Sequence, residues 1–279
     1  MNENLIIGIL VGMTGSVLLS VGKGVQKMKV DVLKKGSAML SPAHRRDFGI
    51  WLLGVAMTAS ASIFYSFSLK FTDKSSIVSS LSGIGLVGLL IFAWLVLKER
   101  VGLQELLGAA MVIIGTGLIG YFNQSLAQAQ RYNLPQFLWL AGAAVAIFAA
   151  LSLTAVKFPR VHGFVFGLIA GACIGIAMIL ADMALVWSSG SIIGQFKGPY
   201  VYFAILCSAC ALTVTQVAFF KATAVVVVPT VNSFTILTPL LFEYFTFNVL
   251  LAPLQYAGVA LIIAGVITLS TSPKQIFKS

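Results

Sequence analysis

Val225-Val-Val-Val-Pro-Thr-Val-Asn-Ser-Phe-Thr-Ile-Leu-Thr-Pro-Leu-Leu-Phe-Glu-Tyr-Phe-Thr-Phe-Asn248 is the segment from which the architecture of this chain can be predicted. It is long and apolar enough to cross a bilayer as one helix. It also contains Pro229 and Pro239, which each remove a backbone donor and crowd the preceding turn. We therefore expect a helix that is kinked or locally unwound. Its irregular part should face protein or water, because lipid cannot satisfy freed backbone groups.

Asn232 and Glu243 give this stretch a functional interpretation. They are eleven residues apart, which at about 100° per residue is three turns plus roughly 20°, so an undistorted helix carries both on one face. A carboxylate at this depth costs about 2.5–3.5 kcal/mol to insert and marks a functional site by default. We interpret this face as the lining of a permeation pathway. The alternative is a hydrogen-bonded packing helix.

The composition places the whole chain in the class of helical membrane proteins. Of its 279 residues, 59% are hydrophobic and 9% are charged, and the mean hydropathy is +1.00. These values exclude an ordinary soluble domain, and the apolar spans leave no room for a soluble catalytic domain. We therefore expect an all-α polytopic membrane bundle that is not an enzyme and has no cofactor. Nine spans are predicted, at residues 5–22, 48–70, 75–97, 103–122, 134–156, 163–187, 199–220, 225–248 and 253–271.

The basic residues are distributed unevenly between the two sides of this bundle. If nine spans alternate in direction, 14 of the 18 Lys and Arg residues lie on one side. This positive-inside signal predicts an outside N-terminus and a cytoplasmic C-terminus in a cell membrane, either plasma or bacterial inner. It also explains the net charge of +10 without a nucleic-acid partner. The basic loop 23–47 is expected to lie against anionic lipid, with Lys23 as an interfacial anchor.

The sequence contains an internal repeat. Two sets of glycines recur at fixed offsets, Gly8 and Gly12 with Gly167 and Gly171 (offset 159), and Gly108 and Gly115 with Gly258 and Gly265 (offset 150). The predicted organisation is a first repeat at 1–122, a connector helix at 123–161, a second repeat at 162–271 and a cytoplasmic tail at 272–279. The connector adds one crossing, so the second repeat starts on the opposite side of the membrane. Inverted repeats of this kind are typical of secondary transporters that work by alternating access.

Only two carboxylates lie well inside the spans, Asp182 and Glu243. Each is eighteen residues from the predicted cytoplasmic end of its span, or roughly 27 Å along a helix. Two acids at similar depth suit a cation site, and Mg²⁺ prefers oxygen ligands. Both are therefore candidate metal ligands. Two alternatives are that each acid reaches the interface or pairs with a buried donor, and that an acid with a raised pKa couples transport to protons.

Other polar side chains complete the candidate substrate site. Spans two and three are rich in small and hydroxyl residues, which suits a bundle interior or a cavity, although packing is an alternative explanation. Gln216 places an amide inside span seven. The candidate substrate-binding residues are Asn232, Glu243, Asp182, Gln216, Thr230, Ser79, Ser82 and Tyr65.

The stretch Leu97-Lys-Glu-Arg-Val-Gly-Leu-Gln-Glu-Leu-Leu-Gly-Ala-Ala-Met-Val-Ile-Ile-Gly115 resembles the acidic loop and glycine-bearing helix of the drug/metabolite transporter superfamily. Within that superfamily the chain is most similar to the NIPA-type magnesium transporters, which also have nine predicted spans. The supporting stretches are Lys34-Lys-Gly36, Pro159-Arg-Val-His-Gly163, Thr213-Val-Thr-Gln-Val-Ala-Phe-Phe-Lys-Ala222 and Val228-Pro-Thr230. The resemblance implies an inverted-repeat bundle and a transported cation.

The chain also departs from the magnesium transporters. Ala59-Ser60 and Ile63-Phe64 stand where those proteins tend to carry Gly-Glu and Asn-Phe, so a buried acid is missing from span two. The acid that usually closes span eight is absent too, since Val249 is the repeat counterpart of Glu99. Because the superfamily also moves amines, amino acids and nucleotide sugars, the fold does not choose the substrate.

Three hypotheses follow. The first is a secondary transporter that moves a small cationic solute by alternating access, with Mg²⁺ as the candidate that the resemblance implies. The second is a proton-coupled exporter of an organic cation or metabolite. The third, from another class, is a membrane scaffold or receptor without transport. A homodimer is one assembly that the sequence leaves open.

Overall fold

The structure is a computed structural model, and it describes residues 3–72, 81, 83–99, 101–122, 132–158, 161–189, 191, 193–247 and 252–271. All regular structure within these residues is helical. The α-helices of the described residues are α1 (Glu3–Lys29), α2 (Arg45–Thr72), α3 (Ile84–Leu95), α4 (Leu103–Phe122), α5 (Leu134–Lys157), α6 (His162–Trp187), α7 (Tyr200–Lys221), α8 (Ala224–Phe247) and α9 (Pro253–Ser270). Val30–Leu40 and Gly194–Lys197 form 3₁₀ segments.

Each predicted span coincides with one of these helices. In the described part of the chain, five helices are long and apolar enough to cross a membrane: Ile6–Leu40, Leu134–Ala155, His162–Ala181, Tyr200–Lys221 and Ala224–Thr246. The apolar parts of α3, α4 and α9 are shorter. α3 has 12 residues, and residues 75–80 and 82 of its predicted span lie outside the described residues. The prediction of an all-α polytopic membrane bundle is confirmed.

The chain forms two compact units. Unit 1 comprises Met1–Ser125, Phe219–Pro229 and Pro253–Ser279, and unit 2 comprises Leu126–Ala218 and Thr230–Ala252. Unit 1 therefore contains α1 to α4 and α9, together with the end of α7 and the start of α8. The repeat boundaries predicted from sequence stay a prediction, because the units follow contacts rather than sequence similarity.

In unit 1, α1 packs against α2 and α3 through small residues and hydroxyl groups. Ser68 Oγ donates to Gly8 O at 2.7 Å, and Ser16 Oγ accepts the N–H of Gly85 at 2.8 Å. A methyl group at Gly85 would lie 2.2 Å from Ser16 O, so the backbones approach as closely as glycine permits. At least these two hydroxyls therefore serve helix packing.

Helices α4 and α9 of unit 1 meet in a reciprocal glycine contact. A methyl group at Gly108 would lie 2.9 Å from Gly265 O, and one at Gly265 would lie 2.6 Å from Gly108 O. The same holds for Gly115 and Gly258, at 2.6 Å and 2.8 Å. Gly108 thus faces Gly265, which is the repeat counterpart of Gly115. Gly115 faces Gly258, which is the repeat counterpart of Gly108. This exchange of roles is the property of a contact across a two-fold axis.

In unit 2, α6 provides a small-residue surface for α8. A methyl group at Gly171 would lie 2.4 Å from Val231 O, and one at Gly175 would lie 2.7 Å from Pro239 Cδ. These two glycines therefore allow close packing of α6 against α8. Elsewhere in the unit, a cluster of buried side chains joins α5, α6 and α8, namely Phe137, Ile176, Ile179, Leu180, Met183 and Phe242.

Of the two forms expected for α8, kinked or locally unwound, the unwound form is not observed. The helix runs without interruption from Ala224 to Phe247 and includes Pro229 and Pro239. Pro239 packs directly on Gly175 of α6. Packing by neighbouring helices allows a membrane helix to continue past proline.

Candidate functional site

The uninterrupted course of α8 preserves the geometry predicted for its polar residues. Asn232 and Glu243 are both half-buried. The helix is continuous between them. Eleven residues at about 100° each are about 20° beyond three turns, so ideal helix geometry places both on one side of α8. Thr230 is fully buried. Unit 2 therefore carries one carboxylate and one amide along the same side of a helix.

Gln216, the remaining described member of the predicted site, lies buried in α7 of unit 2. Its side chain is 4% exposed, and Nε2 donates to Leu212 O of its own helix at 3.4 Å. This bond is at the long end of hydrogen-bond distances.

Ser233 is a polar group that the sequence analysis missed. Its hydroxyl is fully buried and has no hydrogen-bond partner among the described residues. An unsatisfied buried hydroxyl costs about 1–3 kcal/mol, so its presence next to Asn232 on α8 calls for a functional explanation. The signal available in the sequence was a serine directly after the amide in an apolar span.

Four predicted site residues fall outside what the structure describes. Ser79 and Ser82 are not among the described residues, and the side chains of Tyr65 and Asp182 are not described either. Pairing of Asp182 with Glu243 at a cation site thus stays a prediction. Among the described residues, no group of three or more His, Cys, Asp or Glu side chains is arranged to hold a metal ion.

The position of Lys23 differs from the one expected of an interfacial anchor. Its side chain is buried in unit 1 and is 5% exposed, whereas an anchoring lysine keeps its amine at the membrane surface. The physical reason is the close packing on either side of it. A methyl group at Gly22 would lie 2.9 Å from Gly54 O, and one at Gly24 would lie 2.8 Å from the Phe92 ring.

Close to Lys23, the buried Gln26 also holds α1 against α2. Its Nε2 donates to Thr58 Oγ1 at 2.9 Å and to Gly54 O at 3.2 Å. The side chain is 1% exposed. A glutamine amide inside a membrane bundle is stabilised by hydrogen bonds across helices. This part of α1 is therefore a polar packing region rather than a lipid-facing one.

A second charged arrangement in unit 1 was not predicted. Glu99 follows α3, and its carboxylate oxygens accept the N–H groups of Ala224 at 2.9 Å and Val225 at 3.2 Å, at the start of α8. Lys27 of α1 donates to the backbone oxygen of Phe219 near the end of α7. The turn between α7 and α8 is thus held from both ends by charged side chains of unit 1.

The local sequence places Glu99 for this contact. α3 ends at Leu95, and Lys98 takes a left-handed conformation with φ of 53°. The N–H of Glu99 then bonds back to Ala93 O at 3.0 Å, which ties the residues after the helix to its last turn, as in other helix C-terminal motifs. This turn directs the residue after Lys98 away from the axis of α3.

The environment of Glu99 opposes its ionisation. Burial raises the pKa of Glu99 above the usual carboxyl value, and this effect outweighs the two backbone hydrogen bonds and the attraction of Lys27, which lower it. Ionised carboxylates accept such bonds more strongly than neutral ones. The Glu99 carboxyl therefore caps α8, and its ionisation is opposed by burial and favoured by the two backbone N–H groups and Lys27.

Comparison with known proteins adds the family. A model of the EamA-like transporter family matches residues 32–121. The chain is 25% identical over 195 residues to the probable magnesium transporter NIPA9 of Arabidopsis thaliana, a match that covers 63% of this chain and 56% of that protein. It is 37% identical over 83 residues to the multidrug resistance protein EbrB of Bacillus atrophaeus, which covers 29% of this chain and 68% of that protein. No solved structure matches the chain.

These similarities agree with the architecture. The chain spans little more than half the length of NIPA9, so the match by itself does not assign the substrate of NIPA9 to this chain. The matched family and both relatives belong to one superfamily of transporters. Five helices of the described residues are long and apolar enough to span a membrane. The chain is a multi-pass membrane protein that belongs to the drug/metabolite transporter superfamily.

Proposed function

We propose that the chain is a secondary transporter that moves a small cation across a cell membrane by alternating access. The observation that carries this proposal is the polar side of α8, where the Glu243 carboxylate and the Asn232 amide share one side of an uninterrupted helix. A carboxylate in a membrane helix is expensive unless it serves a pathway or a partner. Its negative charge selects a cation.

The reciprocal contact of α4 and α9 supports alternating access. Gly108 faces Gly265 and Gly115 faces Gly258, which is the pairing expected if the two helices are repeat counterparts related by a two-fold axis. A two-fold axis between repeat-related helices is a property of transporters with inverted repeats. Both helices belong to unit 1, so the contact is internal to that unit.

Mg²⁺ is the first candidate substrate. One relative is a probable magnesium transporter. Mg²⁺ keeps several of its waters and needs one or two carboxylates in addition, which Glu243 and Asp182 would supply. Carboxylate, amide and hydroxyl oxygens of the predicted site residues are ligands of the kind that this ion prefers.

The test is uptake into proteoliposomes that contain a fluorescent Mg²⁺ indicator. Glu243→Gln should abolish uptake or reduce it strongly, because the amide keeps the volume of the side chain and loses the negative charge. Glu105→Gln is the matched control, since Glu105 Oε2 accepts the N–H of Gly102 at the start of its own helix α4. Wild-type uptake rates in Glu243→Gln would remove this carboxylate from the mechanism.

A proton-coupled exporter of an organic cation is the second candidate. One relative is a multidrug resistance protein, and span two lacks the acid that the magnesium transporters tend to carry there. In this case a fluorescent quaternary ammonium dye should be transported only when a pH gradient is present. Flux of Mg²⁺ without dependence on a pH gradient would exclude it. Absence of both fluxes would favour a scaffold without transport.

We also propose an orientation with the N-terminus outside and the C-terminus in the cytoplasm, and an anionic lipid partner for loop 23–47. Lys35 is exposed and Leu40 is 62% exposed in the 3₁₀ segment Val30–Leu40, which gives a charged and apolar surface of the kind that binds anionic headgroups. The apolar residues Val25 and Val32 are instead buried in unit 1. Lys35→Gln should weaken stabilisation by phosphatidylglycerol relative to phosphatidylcholine, measured by thermal unfolding in nanodiscs.

A further inference from the structure

The turn between α7 and α8 brings two helix ends into a buried place. The last carbonyl groups of a helix and the first N–H groups of the next have no partners within their helices. Here Ala222 and Ala224 are 2% and 0% exposed, and the residues that follow in α8 are equally buried. Water therefore cannot satisfy these backbone groups, and partners must come from the protein.

The partners are two side chains of unit 1, Glu99 and Lys27, and their charges are opposite to those of the helix ends that they contact. The negative carboxylate of Glu99 meets the N-terminus of α8 through the N–H groups of Ala224 and Val225, and the positive Lys27 meets the carbonyl of Phe219 near the C-terminus of α7. An anion at a helix N-terminus and a cation at a C-terminus are both stabilising. Hydrogen bonds that involve a charged group are about twice as strong as neutral ones.

The charged groups around this contact form a short series. Lys27 faces Glu99 from α1, Asp31 and Lys34 follow in the 3₁₀ segment, and Lys98 adjoins Glu99 in the chain. Lys34 also pairs with Asp31 and lies over the Phe220 ring, with Nζ 5.0 Å from the ring centroid. Glu99 is the member of the series that bonds directly to α8.

The helix that Glu99 caps is also the helix that carries the proposed site. Thr230 and Asn232 lie six and eight residues after Ala224, and Glu243 lies further along the same uninterrupted helix. A displacement of the first turn of α8 would move these side chains along with it. The first turn is fixed by two hydrogen bonds to one carboxylate.

We propose that Glu99 is a positioning residue for transport, which together with Lys27 fixes the first turn of α8 and thereby the placement of Thr230, Asn232 and Glu243. This inference rests on the proposed function, because it assigns Glu99 a role at the site of that function. Glu99 itself does not contact the transported ion. Its effect passes through the backbone of α8.

The first measurement is residue-resolved amide hydrogen exchange in nanodiscs, which does not depend on any transported substrate. Glu99→Gln removes the charge and one acceptor oxygen, so exchange at Ala224 and Val225 should be roughly tenfold faster than in the wild type. Glu99→Asp keeps the carboxylate on a shorter side chain and should restore part of the protection. Glu105→Gln makes the same change at a carboxylate that accepts the N–H of Gly102 beside α4, and it should leave both amides unaffected.

The second measurement is the concentration dependence of Mg²⁺ and quaternary ammonium dye uptake in proteoliposomes, normalised to folded protein. Glu99→Gln should raise the half-saturating concentration roughly tenfold, in proportion to the loss of the two bonds. The same change in Glu105→Gln would show a merely structural effect and overturn the proposal. Lys27→Met provides a second variant that weakens the same contact if Glu99→Gln does not fold.

The outcomes separate this inference from the proposed function. If the wild type transports neither cation, the proposed function fails and the transport role of Glu99 fails with it, while the exchange rates still decide whether Glu99 fixes α8. If transport is present and Glu99→Gln leaves exchange at Ala224 and Val225 unchanged, the inference is overturned and the proposed function stands.

Discussion

Two hydroxyl groups on α8 differ in the way they are satisfied. Thr235 Oγ1 donates to Val231 O at 2.9 Å and lies 3.5 Å from Gly171 O. Ser233 Oγ is fully buried, whereas Thr235 is half-buried, and Ser233 Oγ has no hydrogen-bond partner within the described residues. A bonded hydroxyl contributes about 0.5–1.5 kcal/mol to stability, and an unsatisfied one is a cost. Thr235 therefore has a structural role, and Ser233 is available to a ligand.

Replacement of these two residues should separate stability from transport. We predict that Ser233→Ala leaves the free energy of unfolding unchanged or raises it by about 1 kcal/mol, because no hydrogen bond is lost. The concentration of cation needed for half-maximal uptake should rise. Thr235→Val is the control and should lower the free energy of unfolding by about 1 kcal/mol with unchanged uptake. Unfolding in detergent micelles and uptake in proteoliposomes measure the two effects, and a destabilised Ser233→Ala protein would contradict the prediction.

At the scale of helices, the contact of α4 with α9 depends on the absence of side-chain atoms. A methyl group at Gly115 would lie 2.6 Å from Gly258 O, a backbone atom that cannot rotate away. At Gly117, two residues further along α4, nothing lies within 4 Å of such a methyl group. The two glycines therefore differ in packing while sharing the same helix.

The two glycines of α4 should respond to alanine in opposite directions. We predict that Gly115→Ala lowers the free energy of unfolding by about 1–3 kcal/mol, because the added methyl group forces the helices apart. Gly117→Ala should raise it by up to about 1 kcal/mol, since alanine is the better helix former. Thermal unfolding of both variants in one detergent gives the comparison, and equal melting temperatures would rule out a close α4–α9 contact.

The segment between α1 and α2 is held by an ion pair at its two ends. Lys29 Nζ lies 2.6 Å from Asp47 Oδ1, and the hydrogen bond from Lys29 lowers the pKa of Asp47 below the usual carboxyl value. Because the pKa is lower in the folded state, the pair stabilises the protein above the unfolded value of about 3.9. This contribution is lost as the pH falls through the lowered pKa.

We predict that residues 30–46 become more accessible to protease in acid than at neutral pH, because protonated Asp47 releases Lys29. Asp47→Asn should show the acid-like cleavage rate already at pH 7 and no further change on acidification. Asp31→Asn is the control, since Asp31 pairs with Lys34 inside the segment at 2.6 Å. Pulsed digestion with an acid-tolerant protease measures the rates, and identical pH profiles of wild type and Asp47→Asn would refute the role of the pair.

For the whole molecule, the number of membrane crossings decides whether the N-terminus and the C-terminus lie on the same side of the membrane or on opposite sides. Five helices of the described chain are long and apolar enough to cross a membrane, and α3, α4 and α9 have shorter apolar parts. The split of 14 Lys and Arg residues on one side and four on the other is obtained when all nine predicted spans alternate across the membrane. We therefore expect α2 and the three shorter helices to cross as well.

Sided labelling should test these crossings. Residues 35 and 197 are separated by the five helices α2 to α6, so we predict that cysteines at Lys35 and Lys197 react with a membrane-impermeant thiol reagent from opposite sides. The background must lack Cys173, Cys207 and Cys210, the three native cysteines. Labelling of both positions from the same side would mean that one of the short helices does not cross.

Hydropathy and helical periodicity are local properties, and they determined what the sequence alone could predict: the helices, the membrane class, and the shared side of Asn232 and Glu243 on α8. Contacts between residues distant in the sequence depend on how the helices pack, so they are known only from the three-dimensional structure. The bonds of Glu99 to Ala224 and Val225 join residues 125 and 126 positions apart. Burial of Lys23 and the unbroken course of α8 past its prolines likewise follow from close packing by neighbouring helices, which no single stretch of sequence encodes.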